Sequence, residues 1–220
     1  MCTKSAKATK NYLAKAFAFV VKTVILFVIG TLLSTLIYFL ICERHKHAYS
    51  KELANKLSEE QWMVPLVGAL SSILGPLIIL TDKALQGFSK PPQNVDIIAI
   101  LKNLGLYFAL CHCTNVVTYS RACSLPNMLM LISFTGWIIS DRTLSSFVLG
   151  LFGAGITTIA SYTFILAGWT VYPIADFSLI RAWLPNVAFT GTVTMSNIAR
   201  ILNRLERDFT SSFEQKLHLD

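Results

Sequence analysis

Few residues in this chain are equipped for chemistry, and most of those stand in apolar surroundings. In the stretch TGWIISDRTL, Thr135 to Leu144, an acid and a base, Asp141 and Arg142, separate two strongly apolar runs. Cys111, His112 and Cys113 form a contiguous triplet in another run, and Lys22, Lys102, Asn115 and Asn197 are polar residues within others. The triplet has the residue types of a metal site but the wrong spacing. Successive residues of a helix are rotated by about 100°, so Cys111 and Cys113 face nearly opposite ways. A packing role is expected there, and no metal. Five cysteines, an odd number, do not make a disulfide framework. No H-E-x-x-H, G-x-S-x-G, phosphate-binding loop or pair of carboxylates at helical spacing occurs, so neither an enzyme nor a bound cofactor is expected.

The lone charges have simpler readings. Lys22 and Lys102 each lie close to the start of an apolar run, where a long side chain snorkels to the headgroups. Asn115 and Asn197 can donate across helix contacts. Asp141 has two readings. One is a solvated turn at the membrane surface. The other is a half-buried acid that meets a partner on another helix or on another protein, since embedded acids are usually functional. The helix end it would occupy is the one whose dipole disfavours a negative charge.

The elements that must position these residues follow from composition. The 220 residues are 54% hydrophobic and 14% charged, against about a quarter charged for a soluble domain. Apolar runs extend from Ala16 to Cys42, Trp62 to Leu80, Ile97 to Thr118, Leu125 to Ile139, Leu144 to Ala167 and Trp183 to Leu202. A bilayer core takes about 20 helical residues. The expected fold is therefore all-α, a polytopic bundle of six transmembrane helices. The fourth run is short and is expected to borrow Ser140 to Arg142. Residues 1–15 are read as a basic N-terminal segment, 16–202 as the membrane domain and 203–220 as a C-terminal tail. The first run is too long for a cleaved signal peptide and is read as an uncleaved first helix.

With six spans, 11 Lys and Arg fall on the side of the two termini and 6 on the other. The positive-inside rule then places both termini in the cytosol. The net charge of +7 is explained by anionic headgroups, without nucleic acid. Small residues recur at four-residue spacing: Gly68 and Ser72, then Gly150, Ala154 and Thr158, then Ala188, Thr192 and Ser196. Such stripes let helix backbones approach closely. Gly75-Pro76 is expected to kink the second helix. Trp62 with Pro65, and Trp183 with Pro185, are read as interfacial anchors at helix starts.

The segment LIRAWLPNVAFTGTVTMSNIARILNRLE, Leu179 to Glu206, resembles the sixth helix of the Insig (insulin-induced gene) family, with its R-x-W-L-P and T-M-x-N-I-x-R blocks. QWMVPLVGALSSILGPLIILTDKALQG, Gln61 to Gly87, resembles the family's second helix, with W-x-V-P and D-[KR] landmarks. VVKTVILFVIGTLL and GWIISDR also match. The resemblance implies six transmembrane helices with cytosolic termini and residence in the endoplasmic reticulum membrane. It implies a non-enzymatic protein that binds sterols, oxysterols among them, and binds membrane proteins with sterol-sensing domains. Those partners are HMG-CoA reductase and Scap-like proteins, and the outcome is feedback on sterol biosynthesis. Carried over residue by residue, Asp141 matches the family aspartate needed for partner binding. Trp137 matches a tryptophan of the sterol-binding helix group. Tyr107 falls where the family has a pocket phenylalanine. Ser124 falls where it has a glutamine important for the sterol response, and serine is too short to make the same contact. That departure leaves the identity of the lipid open. A protein of the same fold that answers to another lipid, such as diacylglycerol, and a small transporter or lipid-modifying enzyme are the alternatives.

Overall fold

The computed structural model describes residues 2–48, 63–85, 97–116, 124–167 and 183–219. They form six helices: α1 Cys2–Ala48, α2 Met63–Ala84, α3 Ile97–Val116, α4 Ser124–Ser140, α5 Leu144–Leu166 and α6 Leu184–Leu219. No strand occurs among the described residues. In hydrocarbon every backbone N–H and C=O must be bonded within its own segment, so apolar runs of this length become helices. Four stretches, Tyr12–Leu36, Val64–Ala84, Ile97–Thr114 and Leu144–Leu166, are long and apolar enough to cross a membrane. α4 has 17 residues, about 25 Å of helix. Of the three residues it was expected to borrow it takes only Ser140, because Asp141 opens the turn into α5.

α6 differs in composition because the others enclose it. It touches all five other helices. Its Thr190, Thr194, Ser196, Asn197 and Arg200 are buried, so these polar side chains meet protein rather than lipid. The hydroxyls of Thr190, Thr194 and Ser196 donate to carbonyls one turn back in α6 itself, which satisfies them locally. α1 begins at Cys2 and α6 runs to Leu219, so the basic N-terminal segment and the C-terminal tail are helical continuations of these two helices.

Side-chain contacts reveal the order of helix directions. Lys22, near the middle of α1, pairs with Glu206 in the second half of α6, and α1 runs antiparallel to α2, with Thr23 beside Ser72 and Thr31 beside Gly68. Asp82, at the end of α2, accepts from Ser145 at the start of α5. Ser140, at the end of α4, donates to Asn103 near the start of α3. Arg200 of α6 also meets Asp82 at the end of α2 and Asp141 just past the end of α4, so consecutive helices alternate in direction, and one end of the bundle gathers all these groups. The extensions of α1 and α6 leave from that end.

Close approach follows the glycines. At Gly30 of α1 an added Cβ would stand 3.3 Å from the Cα of Gly68 in α2 and would overlap Ser71. At Gly150 of α5 it would lie 2.7 Å from the Phe189 ring of α6. α2 runs unbroken through Pro76, and Asn203 Nδ2 of α6 approaches the carbonyl of Gly75 at 3.5 Å.

Two expectations for single residues change. Trp183 is buried in the core instead of anchoring in the headgroup layer, and its carbonyl accepts from the Asn186 and Val187 amides at the start of α6. Lys22 does not snorkel. It is 4% exposed, its Nζ lies 2.5 Å from Glu206 Oε2, and it sits 5.0 Å from the Phe19 ring centroid. A carboxylate on the central helix removes the need to reach water. Lys102 is exposed, Cys111 is buried and Cys113 is exposed, as their positions on α3 require. Trp62, Lys90, Arg121 and Arg181 lie outside the described residues, as do the side chains of Cys42, Asn115 and Ser124.

Candidate functional site

The elbow between α4 and α5 is where the acid and base of the TGWIISDRTL stretch fall. The amides of Asp141 and Arg142 both donate to the carbonyl of Trp137, at 3.0 Å each. This closes α4 with Arg142 in the left-handed region, φ 54°. A left-handed residue just past a helix end satisfies the last carbonyls, a position usually given to glycine. A non-glycine residue there costs about 1 kcal/mol or more. The surroundings hold it. Arg142 Nε donates to Ile138 O at 2.7 Å, Thr143 Oγ1 donates to Asp141 Oδ1 at 2.9 Å, and Trp137 Nε1 donates to Thr143 O at 3.1 Å. Thr143 starts α5 with an extended backbone and commits its hydroxyl to Asp141 in place of a cap bond.

Asp141 is not a solvated turn residue. Its side chain is 2% exposed, and Oδ1 lies 3.1 Å from Nη1 of Arg200 on α6. Arg200, 7% exposed, is saturated. Nε and Nη2 grip the two oxygens of Asp82 at 3.1 and 3.0 Å. Nη2 also donates to Ser145 Oγ at 2.6 Å, and Nη1 to Ser146 Oγ at 2.8 Å and Asn197 Oδ1 at 3.2 Å. The planar fork suits a bidentate carboxylate and a low-dielectric site. One guanidinium thus ties α2, the elbow, α5 and α6 together. The partner expected for Asp141 on another helix is Arg200.

Sequence reasoning assigned Arg200 to the surface charges and Asp82 to a family landmark. Arg200 stands three residues after Asn197, on the same helical face. That spacing was the available signal that the charge points inward. Removing Arg200 from the surface leaves the asymmetry of basic residues in place.

Trp137 belongs to a ring cluster. Its centroid is 5.4 Å from Phe134 and 4.7 Å from Phe147, and Phe147 lies 5.8 Å from Phe189 on α6. Tyr107 of α3 is buried and packs on Gly191 of α6, where an added Cβ would be 3.0 Å from its ring. No ring contact joins Tyr107 to Trp137. Tyr107 meets α6 directly at Gly191, and the cluster of Trp137 meets it two residues away at Phe189 through Phe147. One turn from each stands a buried polar side chain, Asn103 on α3 and Ser133 on α4. Asn103 Nδ2 and Ser133 Oγ have no hydrogen-bond partner. The structure therefore brings Trp137 and Asp141 into one elbow and sets Tyr107 on a neighbouring face of the hub.

The profile of the Insulin-induced protein (INSIG) family matches residues 21–203. The chain belongs to the Insig family. The Insulin-induced gene 2 protein of Gallus gallus is 27% identical over 188 residues, covering 85% of this chain and 83% of that one. That of Xenopus laevis is 26% identical over 213 residues, covering 96% and 95%. The human Insulin-induced gene 1 protein is 25% identical over 182 residues, covering 82% and 65%. A crystal structure of a cross-linked MvINS trimer superposes with a TM-score of 0.62 at 16% identity, covering 82% of this chain and 93% of that one. The solved structure supports the fold, and the Insig profile includes every residue of the Arg200 node.

Proposed function

We propose that this Insig-family protein is a non-enzymatic regulator of sterol biosynthesis in the endoplasmic reticulum membrane, with both termini in the cytosol. It binds a hydroxyl-bearing lipid, a sterol or oxysterol, against the aromatic faces of α3 and α4. It docks a sterol-sensing-domain protein, HMG-CoA reductase or a Scap-like protein, beside the elbow that carries Asp141. The observation that carries the reading is Trp137. Its ring belongs to the apolar cluster and its N–H holds the carbonyl of Thr143, so a ligand pressing on the ring also presses on the elbow. A lipid that binds the partner-competent arrangement more tightly shifts the population toward it. Tyr107 and Trp137 are the candidate lining residues. Asn103 Nδ2 and Ser133 Oγ offer the polar contact that fixes a flat apolar ligand. Ser124 stays a candidate for the ligand's polar end.

A second lipid class is favoured by one observation. Serine at position 124 cannot make the reach of a glutamine, so diacylglycerol or a similar amphiphile is the competing ligand. Labelling of the purified protein with a photoactivatable sterol, in the presence of unlabelled sterol or diacylglycerol, separates the two. Competition by sterol alone is expected. Capture of HMG-CoA reductase on the tagged protein is the functional test. Asp141→Ala is expected to lower recovery several-fold at equal expression, and equal recovery would remove Asp141 from partner binding.

A further inference from the structure

We propose that Arg200, with Asp82, is the positioning residue for partner docking, and that Asp141 acts on a partner by shaping the α4–α5 elbow, not by touching it. What concerns docking rests on the function proposed above, whereas the positioning of Asp141 by Arg200 and Asp82 stands on geometry alone. The Asp141 side chain is 2% exposed, and its Oδ1 already accepts from Thr143 Oγ1 and Arg200 Nη1. An incoming residue could reach this carboxylate only by opening the node. What faces outward at the elbow is Ile139, 62% exposed, and the side chain of Arg142. Ile139 is set by the last turn of α4 and Arg142 by its own left-handed backbone.

That turn carries a backbone cost and persists because it is held from two sides. Trp137 Nε1 holds Thr143 O from the ring cluster, and Arg200 holds Asp141 from the hub. Asp82 contributes at a distance. It accepts from both Nε and Nη2 and so orients the guanidinium plane, which leaves Nη1 aimed at Asp141 and Ser146. Lysine has the charge but not the fork, and cannot serve two carboxylates and two hydroxyls in these directions.

Hydrogen exchange at the amides of Asp141 and Arg142 reads the elbow directly, and capture of HMG-CoA reductase reads docking. Asp141→Ala, Arg200→Gln, Arg200→Lys and the double variant Asp141→Ala/Arg200→Gln are compared with the unmodified full chain in detergent micelles. Arg200→Gln is expected to speed exchange at both amides by about tenfold or more, the loss of one charged hydrogen bond. It should lower capture as far as Asp141→Ala does. The double variant should fall no further than either single variant, since the residues act as one unit. Arg200→Lys should not restore either readout. Unchanged elbow exchange in Arg200→Gln, full capture by it, or complete rescue by lysine overturns the proposal. If Arg200→Gln does not fold, Asp82→Asn decides by the same two readouts. If the unmodified chain captures no reductase, the function proposed above fails, and elbow exchange still decides whether Arg200 positions Asp141.

Discussion

Buried charges among the described residues come with named partners, and each partner sets the consequence of a substitution. Glu206→Leu strands Lys22, whose side chain is 4% exposed, and should cost about 3 kcal/mol. Lys22→Leu with Glu206→Leu replaces the pair by apolar groups and should recover most of that loss. Thermal unfolding in detergent micelles, followed by size-exclusion recovery, measures both. Trp137 separates its two contributions in the same assay. Trp137→Phe keeps a ring against Phe147 and loses the bond to Thr143 O, a loss of about 1 kcal/mol. Trp137→Ala removes the ring as well and should cost about 3 kcal/mol. Equal losses from the two would assign the effect to the hydrogen bond alone.

At the scale of helices, packing depends on backbone approach between α1 and α2 and between α5 and α6. Lipid tails are as apolar as leucine, so burying apolar area drives no association between membrane helices, and close contact has to do so. Gly68 faces Phe27 and Thr31, and an added Cβ would lie 3.1 Å from the carbonyl oxygen of Phe27. Gly68→Leu should therefore force α1 from α2 and destabilise by about 1–3 kcal/mol. Gly105→Leu is the control, since an added Cβ there meets nothing within 4 Å, and it should leave the melting temperature unchanged. The small-residue stripes anticipated the first contact. They did not anticipate that Gly153, outside the stripe on α5, is the residue against which Thr192 packs.

For the whole molecule, the alternation of six helices about α6 makes a topological prediction. The extensions of α1 and α6 leave the same end of the bundle. Single cysteines at Lys10 and Lys216, in a chain otherwise free of cysteine, should both react with an impermeant thiol reagent from the cytosolic face of sealed microsomes. Reaction of one from each face would refute the arrangement. The same end holds the Lys22–Glu206 pair and the Arg200 node. The apolar rings of Phe134, Trp137 and Phe147 form one cluster that meets α6 at Phe189, and Trp137 links it to the elbow of that node. A lipid-facing cluster and a charged rim are thus joined through one helix.

The helices were legible in the sequence because hydrocarbon leaves an unbroken apolar run no alternative backbone. Their bounds fall within a few residues of the apolar runs, except where α1 and α6 continue outward. The interruption at Asp141 was legible too, but not that α4 ends at Ser140 instead of running on to Arg142. The fate of the charges was not. Asp141 and Arg200 are 59 residues apart and Asp82 and Arg200 are 118 apart, each near the end of a run where exposure is the default reading. Only the tertiary arrangement decided that α6 is the hub, and with it that Arg200 points inward. The same arrangement buried Trp183 and paired Lys22 with Glu206. Local sequence sets whether a segment crosses the membrane, because that depends on its own solvation. Which face of it meets protein depends on neighbours far away in the chain, and burial by those neighbours is what turns a rim charge into a structural one.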